Sequence, residues 1–424
     1  AEIRQNDLSD ISVYAVRLGK VLFLFPVLCV QRPEKVFFLV FWRSELKVRL
    51  QKGVLLPMRY LIITYDDYYN IPYIRFYEDH LKRIRAEYDI VLWNRSGRKT
   101  EMPNAFVFSA KNYRSRMLKI LPFLRWRRFA LRVLKEGNYD RLIVLTTMPG
   151  VLLADRLTGE YRKKFWFDIR DFTYENVPFY KKQVEKLAFA AEAVSISSPA
   201  FQSFLPDSGN IVLTHNISNQ DAAEAHCTMD MQKRPLCIGY VGGVQFTEQN
   251  QLLLRRFANN PDYCLKYVGE TRPGCDLQPF CAENGIKNVE FHPAFTNDQK
   301  PGIYRGIQLI NCVYGCDTPV SRLLLPNRLY DCVLFKKPIL VSRGTYLEQV
   351  VTEYGLGLAV DARKDDVVKA LDDYLSGFDR QKFEAGCALF LAHITKEIAQ
   401  YERALSGFFG ESQAAPLHSV SEES

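Results

Sequence analysis

The sequence predicts an α/β protein built from two parallel-sheet domains that face each other across a cleft, preceded by an atypical N-terminal extension. Three observations predict it. The chain is 424 residues long, too much for one ordinary core and suited to two. Short apolar runs alternate with helix-period segments from Met58 onward, the pattern of a sheet covered on both faces. One polar stretch, "SNQDAAEAHCTMDMQKRP", interrupts that alternation, which then restarts. The charged fraction of 25% and apolar fraction of 47% are those of a soluble globular chain and exclude a fibre or a disordered protein. A formal charge of +8 suits anionic substrates, nucleic acid or an acidic membrane surface, and by itself chooses none of them.

Residues 1–57 hold two apolar runs, "VLFLFPVLCV" and "VFFLVFW", split by "QRPEK". Neither reaches the roughly 20 residues that span a bilayer as a helix. They read as an upstream extension or appendage that is not native to the domain, with Met58 the functional start; a membrane-lying hairpin is the alternative. Residues 58–216 form the first domain, with strands expected at "YLIITY", "DIVLW", "AFVFS", "RLIVLTT", "KFWFDI", "AVSISS" and "NIVLTHN". A linker over 217–235 leads to the second domain, 236–376, with strands at "LCIGYVGGV", "YCLKYVGE", "VEFHPAF", "QLINCVYG" and "PILVSRG". C-terminal helices over 377–409 and a small, polar, disordered tail over 410–424 complete the chain. Ligands of such sheets bind beyond the carboxyl ends of the strands, so the two domains present their sites to one another.

The ten cysteines are scattered and read as reduced core residues of a cytosolic protein. Cys275 with Cys281 and Cys312 with Cys316 lack the short repeated spacing of a zinc knuckle, so no metal site is expected. Lys111 to Lys135 carries nine basic residues and no acid, interleaved with Leu, Phe and Trp. A solvated charge run is one reading. The aromatic interleaving supports another, an interfacial element in which Arg125, Arg127 and Arg128 touch anionic headgroups or an acceptor. No nucleic-acid module accompanies it.

Two segments of the second domain suggest an anion site. "IGYVGGV" runs a strand into Gly242 and Gly243, where positive φ and the missing Cβ let backbone N–H groups approach a ligand. It lacks the glycine spacing of the dinucleotide fingerprint, which argues against a dehydrogenase. "LPNRLYDCVLFKKPIL" opens a helix at Pro326 and Asn327, with Asn a favoured cap, buries Leu329, Tyr330, Val333 and Leu334, stops near Lys336 and yields to a strand at Ile339. The start of that helix offers free N–H groups and partial positive charge, with Arg322 and Arg328 near in sequence. A diphosphate between the helix start and the Gly242–Gly243 turn would be neutralised without a metal. An ordinary capped helix with surface arginines is the plain alternative.

Taken in order, "IGYVGGV", "LKYVGE", "NVEFHPAFTNDQKPGIYRGIQLINCVYG", "LPNRLYDCVLFKKPILVS" and "YGLGLAVD" resemble the donor domain of GT-B glycosyltransferases of the large family that builds capsule, O-antigen and exopolysaccharide. In the first half "WFDIRDF", "AVSISSPAF" and "LTHNIS" resemble that family's acceptor domain. The resemblance implies a GT-B fold of two Rossmann-like domains and a nucleotide diphosphate sugar as donor, with no further cofactor. It implies a hexosyltransferase-type activity in cell-surface polysaccharide synthesis, on a glycan or polyprenyl-linked acceptor, in the cytoplasm or peripherally on the inner membrane. It assigns Gly242 and Gly243 to the donor phosphates, His292, Pro293 and Ala294 to the nucleobase, Asn327 and Arg328 to the diphosphate, and Asp331 to the ribose hydroxyls. A carboxylate, with two acceptor oxygens, suits a vicinal diol. Two departures stand out. Many members carry a pair of glutamates, which fall here at Leu323 and Asp331, and the basic residues that usually follow the glycine turn are absent from "GGVQFTEQNQ". Arg322 or Arg328 must then supply that charge, and the donor sugar and anomeric outcome stay open.

On the acceptor side an inverting enzyme needs a carboxylate to take the acceptor proton. Asp171 is the first candidate, then Asp168, Asp66 or Asp67, although Arg170 could simply pair with its neighbouring Asp. His215 is expected to organise the hinge. An epimerase of the same build and a non-catalytic scaffold that kept the fold remain as alternatives.

Overall fold

The computed structural model describes residues 58–95, 97, 102–110, 120–217, 231, 233–272 and 274–410, together with the backbone of five strands before residue 58. The chain divides into two compact units, 58–411 and 1–57 with 412–424. In the smaller unit Val21–Arg32 pairs antiparallel with Ile11–Leu18 and with Lys35–Val40. The extension, hairpin and tail readings otherwise concern matters outside the described residues.

The larger unit holds two parallel sheets. The first has seven strands in the order Ile211–Leu213, Ala193–Ile196, Phe165–Ile169, Arg141–Leu145, Arg59–Ile63, Glu87–Asn94, Ala105–Ser109. All seven expected strands are there. Central ones such as Arg141–Leu145 and Phe165–Ile169 are buried at every position, because helices cover both faces. The edge strand Ala105–Ser109 is nowhere fully buried. The second sheet has six strands in the order Val289–His292, Tyr263–Val268, Leu236–Val241, Leu309–Cys312, Ile339–Ser342, Gly357–Val360. In each sheet the strand order reverses beside the domain's first strand. That reversal opens a crevice at the carboxyl ends: between Arg59–Ile63 and Arg141–Leu145 in one domain, between Leu236–Val241 and Leu309–Cys312 in the other.

The C-terminal segment is one helix, Arg380–Phe409, where several were expected. It has no proline to break it, and its start is capped by the Asp379 side chain. Phe383, Cys387, Phe390 and Ile394 pack in the core of the second domain, while Tyr401, Leu405, Phe408 and Phe409 pack on the first sheet. A single rod thus belongs to both cores. Trp166, fully buried, meets Tyr401 and Phe408 edge-on at 5.7 and 5.6 Å. Of the ten cysteines, eight are described, and all eight are free thiols.

Candidate functional site

The donor-side crevice is organised by one arginine. Asn327–Phe335 is a helix because its apolar face, Leu329, Cys332 and Val333, is fully buried, and it ends where Lys336 turns left-handed at φ 52°. The residue flanking its start is Pro326, whereas Asn327 is the first helical position and its side chain caps nothing. That corrects the expected role of Asn327 as cap. From the first turn the Arg328 side chain runs under the glycine bend. Its Nε donates to the Val241 carbonyl at 2.7 Å, its Nη1 donates to the Tyr314 hydroxyl, and its guanidinium lies 3.5 Å above the Tyr240 ring. A Cβ on Gly242 would stand 3.3 Å from Nη2. Arg328 therefore bridges the ends of both strands that flank the reversal. It is only 4% exposed, and among the described residues no carboxylate pairs with it. A buried cation without a counter-charge is costly, and Tyr240 offsets only part of that cost.

Two further features complete this end. Gly269 adopts φ 141°, and a Cβ there would fall 2.2 Å from the Gly242 carbonyl oxygen. The bends after Val241 and Val268 thus touch backbone to backbone. We expect Gly269→Ala to cost at least about 3 kcal/mol in denaturant unfolding and to spread the bend, since both φ and contact forbid the methyl. Arg272 follows on the same loop, with Nε 3.7 Å from the position of a Gly243 Cβ. It places a basic group beside the bend, where "GGVQFTEQNQ" has none, from a position that no local motif marks. Arg322 is exposed at the end of the short helix Pro319–Leu323, near Asp317, and does not reach the bend through any described contact.

The acceptor-side crevice is lined by residues following Arg59–Ile63 and Phe165–Ile169. Asp171 is exposed to solvent, yet the surrounding protein pushes its pKa up. The Arg170 and Arg272 guanidinium groups pull it down and Asp66 pushes it up again. Exposure combined with such desolvation describes a carboxylate in a concave surround. Arg272, from the opposite domain, is within electrostatic reach of it. Asp66 accepts from the Asp67 amide at 2.8 Å and from Asn70 at 3.0 Å; Asp67 is buried and holds the Arg95 amide at 3.2 Å. Tyr65 beside them is pushed up to about 12, by burial first, against the pull of Arg95 and with Asp66 and Asp171 raising it further. At the reversal itself Thr146 holds φ 71° with ψ 163°, a region shunned by side chains, and its buried hydroxyl has no partner among the described residues. Sequence reading named neither Tyr65 nor Thr146; strain of this kind leaves no trace in residue type.

Asp168 corrects an expectation. It is fully buried and accepts from Tyr77 at 2.8 Å, Ser195 at 2.9 Å and Arg170 Nε at 2.9 Å. Saturated and shut away, it cannot meet an acceptor hydroxyl. Asp331, also 4% exposed, has Oδ1 on Lys300 and Oδ2 on Tyr304, each at 2.8 Å. A ribose diol would reach it only if that pair opened. His292 ends the edge strand, exposed, with Glu290 at 3.1 Å; Pro293 and Ala294 follow it, exposed as well. Leu323, at the place of an expected acid, packs against the first domain's core and its carbonyl accepts from Ser198 at 2.5 Å. Its apolar character follows from that docking. His215 bonds Tyr330 at 2.9 Å and Glu397 at 2.8 Å, tying the segment before the linker to two helices. Arg127 is engaged by the Leu152 carbonyl and Asp155, while Arg125 and Arg128 are exposed on the helix Leu121–Gly137; residues 111–119 of the basic tract lie outside the described residues. Among the described residues no cluster fit for a metal ion occurs, and no helix is long and apolar enough to cross a membrane.

Two doubly wound domains that share a C-terminal helix make up the GT-B fold, and this chain has it. Solved structures agree. Sucrose-phosphate synthase from Thermosynechococcus elongatus superposes with a TM-score of 0.61 at 13% identity, over 84% of this chain and 100% of that one. The lipopolysaccharide outer core galactosyltransferase WaaB gives 0.57 at 12%, over 82% and 99%. Anabaena HepE in complex with UDP-glucose gives 0.58 at 13%, over 82% and 100%. No family model and no curated protein sequence matches the chain.

Proposed function

We propose that the protein is a glycosyltransferase of hexosyl type, moving a sugar from a nucleoside diphosphate sugar to a hydroxyl of a glycan or polyprenyl-linked acceptor, without a metal, in cell-surface polysaccharide synthesis. The observation that carries the reading is Arg328, a buried guanidinium without a carboxylate partner, set against Gly242 at the reversal of the donor-side sheet. A diphosphate there gives it a counter-charge. The start of the Asn327–Phe335 helix and Arg272 add to the same pole. In transfer the acceptor oxygen forms its bond to the anomeric carbon as the bond from that carbon to the phosphate oxygen breaks. The leaving diphosphate keeps the electron pair, spread against Arg328, Arg272 and helix amides. Asp171 takes the acceptor proton. Asp66, near enough to raise the Asp171 pKa, positions that hydroxyl, and the exposed His292–Pro293 loop faces the base.

Neighbours of this fold bind UDP and UDP-glucose, so UDP-sugars head the test. In a thermal-shift panel of UDP-, GDP-, ADP- and CMP-sugars, one donor should raise the melting temperature through mass action, and adding acceptor should release free nucleotide faster. No shift with any donor would overturn the reading. Rapid donor turnover without acceptor would favour the epimerase alternative.

The acceptor-domain surface supports work at the cytoplasmic face of a membrane. Ile120 and Leu124, 60% and 46% exposed, start one helix beside Arg125 and Arg128, and Val177 and Phe179, 45% and 71% exposed, start another beside Lys182. Both helices pack on the same sheet face and begin at the strand carboxyl ends. Such paired apolar and basic groups suit anionic lipid. Vesicles containing anionic lipid should retain the protein in sedimentation at low salt. The double variant Phe179→Ser/Leu124→Ser should weaken retention about tenfold or more; equal retention would remove the membrane from the proposal.

A further inference from the structure

We infer that Arg170 and Asn216 form a positioning relay that couples the acceptor-side carboxylate cluster to the first turn of the donor helix. The inference rests on the glycosyl-transfer reading for what it positions, and on hydrogen bonds alone for its existence.

The relay begins in the first sheet. Asp168 is held by Tyr77 and by Ser195, whose hydroxyl also accepts from the fully buried Trp166 at 2.8 Å. This carboxylate fixes one edge of the Arg170 guanidinium through Nε, while the ring of Tyr73 covers its face at 4.5 Å. The far edge turns outward: Nη2 donates to Thr214 at 3.2 Å and Nη1 to Asn216 Oδ1 at 2.6 Å. An amide side chain can accept and donate at once. Asn216 does both, for its Nδ2 donates to Asn327 Oδ1 at 2.9 Å. The chain Asp168, Arg170, Asn216, Asn327 therefore runs from a fully buried anchor in one domain to the first helical residue of the other. Arg170 is also the residue next to Asp171, so the same backbone segment sets the proposed base. Arg328, which carries the donor reading, is next to Asn327. One rigid side-chain path thus fixes the spacing between the group that takes the acceptor proton and the helix start that receives the departing diphosphate.

Neighbouring ties differ in kind. Ser198 to Leu323 and His215 to Tyr330 also cross between domains, but they end on a backbone carbonyl ahead of the helix and on a residue one turn into it. Only Asn216, among these, grips the helix start. Removing Arg170 would strand Asp168 as a buried charge and threaten folding. Asn216 is half-exposed and is the position to test.

The two variants Asn216→Ala and Asn216→Asp separate the relay from a local role. Aspartate keeps an acceptor for Arg170 and strengthens that bond, yet it cannot donate to Asn327. If the relay positions the reaction, both variants lose about 10- to 100-fold in kcat for transfer, the scale of a small misplacement of reacting groups. Donor affinity by titration calorimetry stays within about threefold, because Arg328 keeps its own bonds to Val241 and Tyr314. Hydrogen exchange of ligand-free protein should also show faster exchange at residues 327–331 in both variants. Wild-type kcat in either variant, restoration by aspartate, or a parallel loss of donor affinity would each overturn the inference, as would unchanged exchange at 327–331. Failure of the glycosyl-transfer reading shows itself separately, as wild-type protein that binds no donor; the exchange measurement still decides whether the relay exists.

Discussion

Arg328→Met should weaken donor binding by one to two orders of magnitude while leaving the fold standing. Methionine fills the channel beneath Gly242 with a similar unbranched volume and removes a buried charge, a change that is often neutral or stabilising. Against this stand two lost bonds, to the Val241 carbonyl and the Tyr314 hydroxyl, at about 1–3 kcal/mol for each group left unpaired. These effects oppose one another, so the melting temperature should move by only about 5 °C. Donor binding loses a charge-assisted contact worth about 1.5–3 kcal/mol, and the affinity should drop about 10- to 100-fold or more. An arginine serving only the fold would show the reverse, a large loss of stability with no consequence for ligand. Calorimetric titration and thermal unfolding on the same variant give both numbers.

Asp171→Asn should cut transfer by roughly 10²- to 10⁴-fold, the range a positioned base contributes, and leave donor affinity unchanged. Its protonation carries a second expectation. A base works ionised, so transfer rises with pH as Asp171 loses its proton. Burial places that limb above the ordinary carboxylate value of 3.8, with Asp66 pushing the same way. Arg170 and Arg272 oppose the rise. Arg272→Gln removes one of the two opposing charges, and the acid limb of kcat should move to higher pH. A limb that stays in place, or moves down, would separate Arg272 from Asp171.

How far the sequence reads through to the site differs between backbone and side chain. Buried parallel strands need continuous apolar runs, so "RLIVL" and "LCIGYV" announce themselves, and all twelve expected strands form; Gly357–Val360 joins as a sixth strand of the second sheet within the recognised "YGLGLAVD". The helix at Asn327 was legible because a proline entrance and the Lys336–Lys337–Pro338 exit bracket an apolar stripe. Side-chain direction was harder. Asp168 and Asp171 are three residues apart, yet strand alternation and the end of the strand send one into the core and the other to solvent. Arg272 reaches the glycine bend only because the bends after two neighbouring strands touch at Gly269, a tertiary fact with no local signature. The resemblance offers Asp331 to a ribose, whereas its pairing with Lys300 and Tyr304 depends on another helix folding over it.

The account stands on an anion site between the Gly242 bend and the helix that starts at Asn327. A crystal structure of the full chain soaked with UDP and a UDP-sugar tests it most directly. The account predicts both phosphates between Gly242–Gly243 and Asn327, with Arg328 Nη2 or Arg272 within about 3 Å of a phosphate oxygen. Nucleotide bound away from that crevice, or phosphates held there with neither arginine in contact, would contradict it.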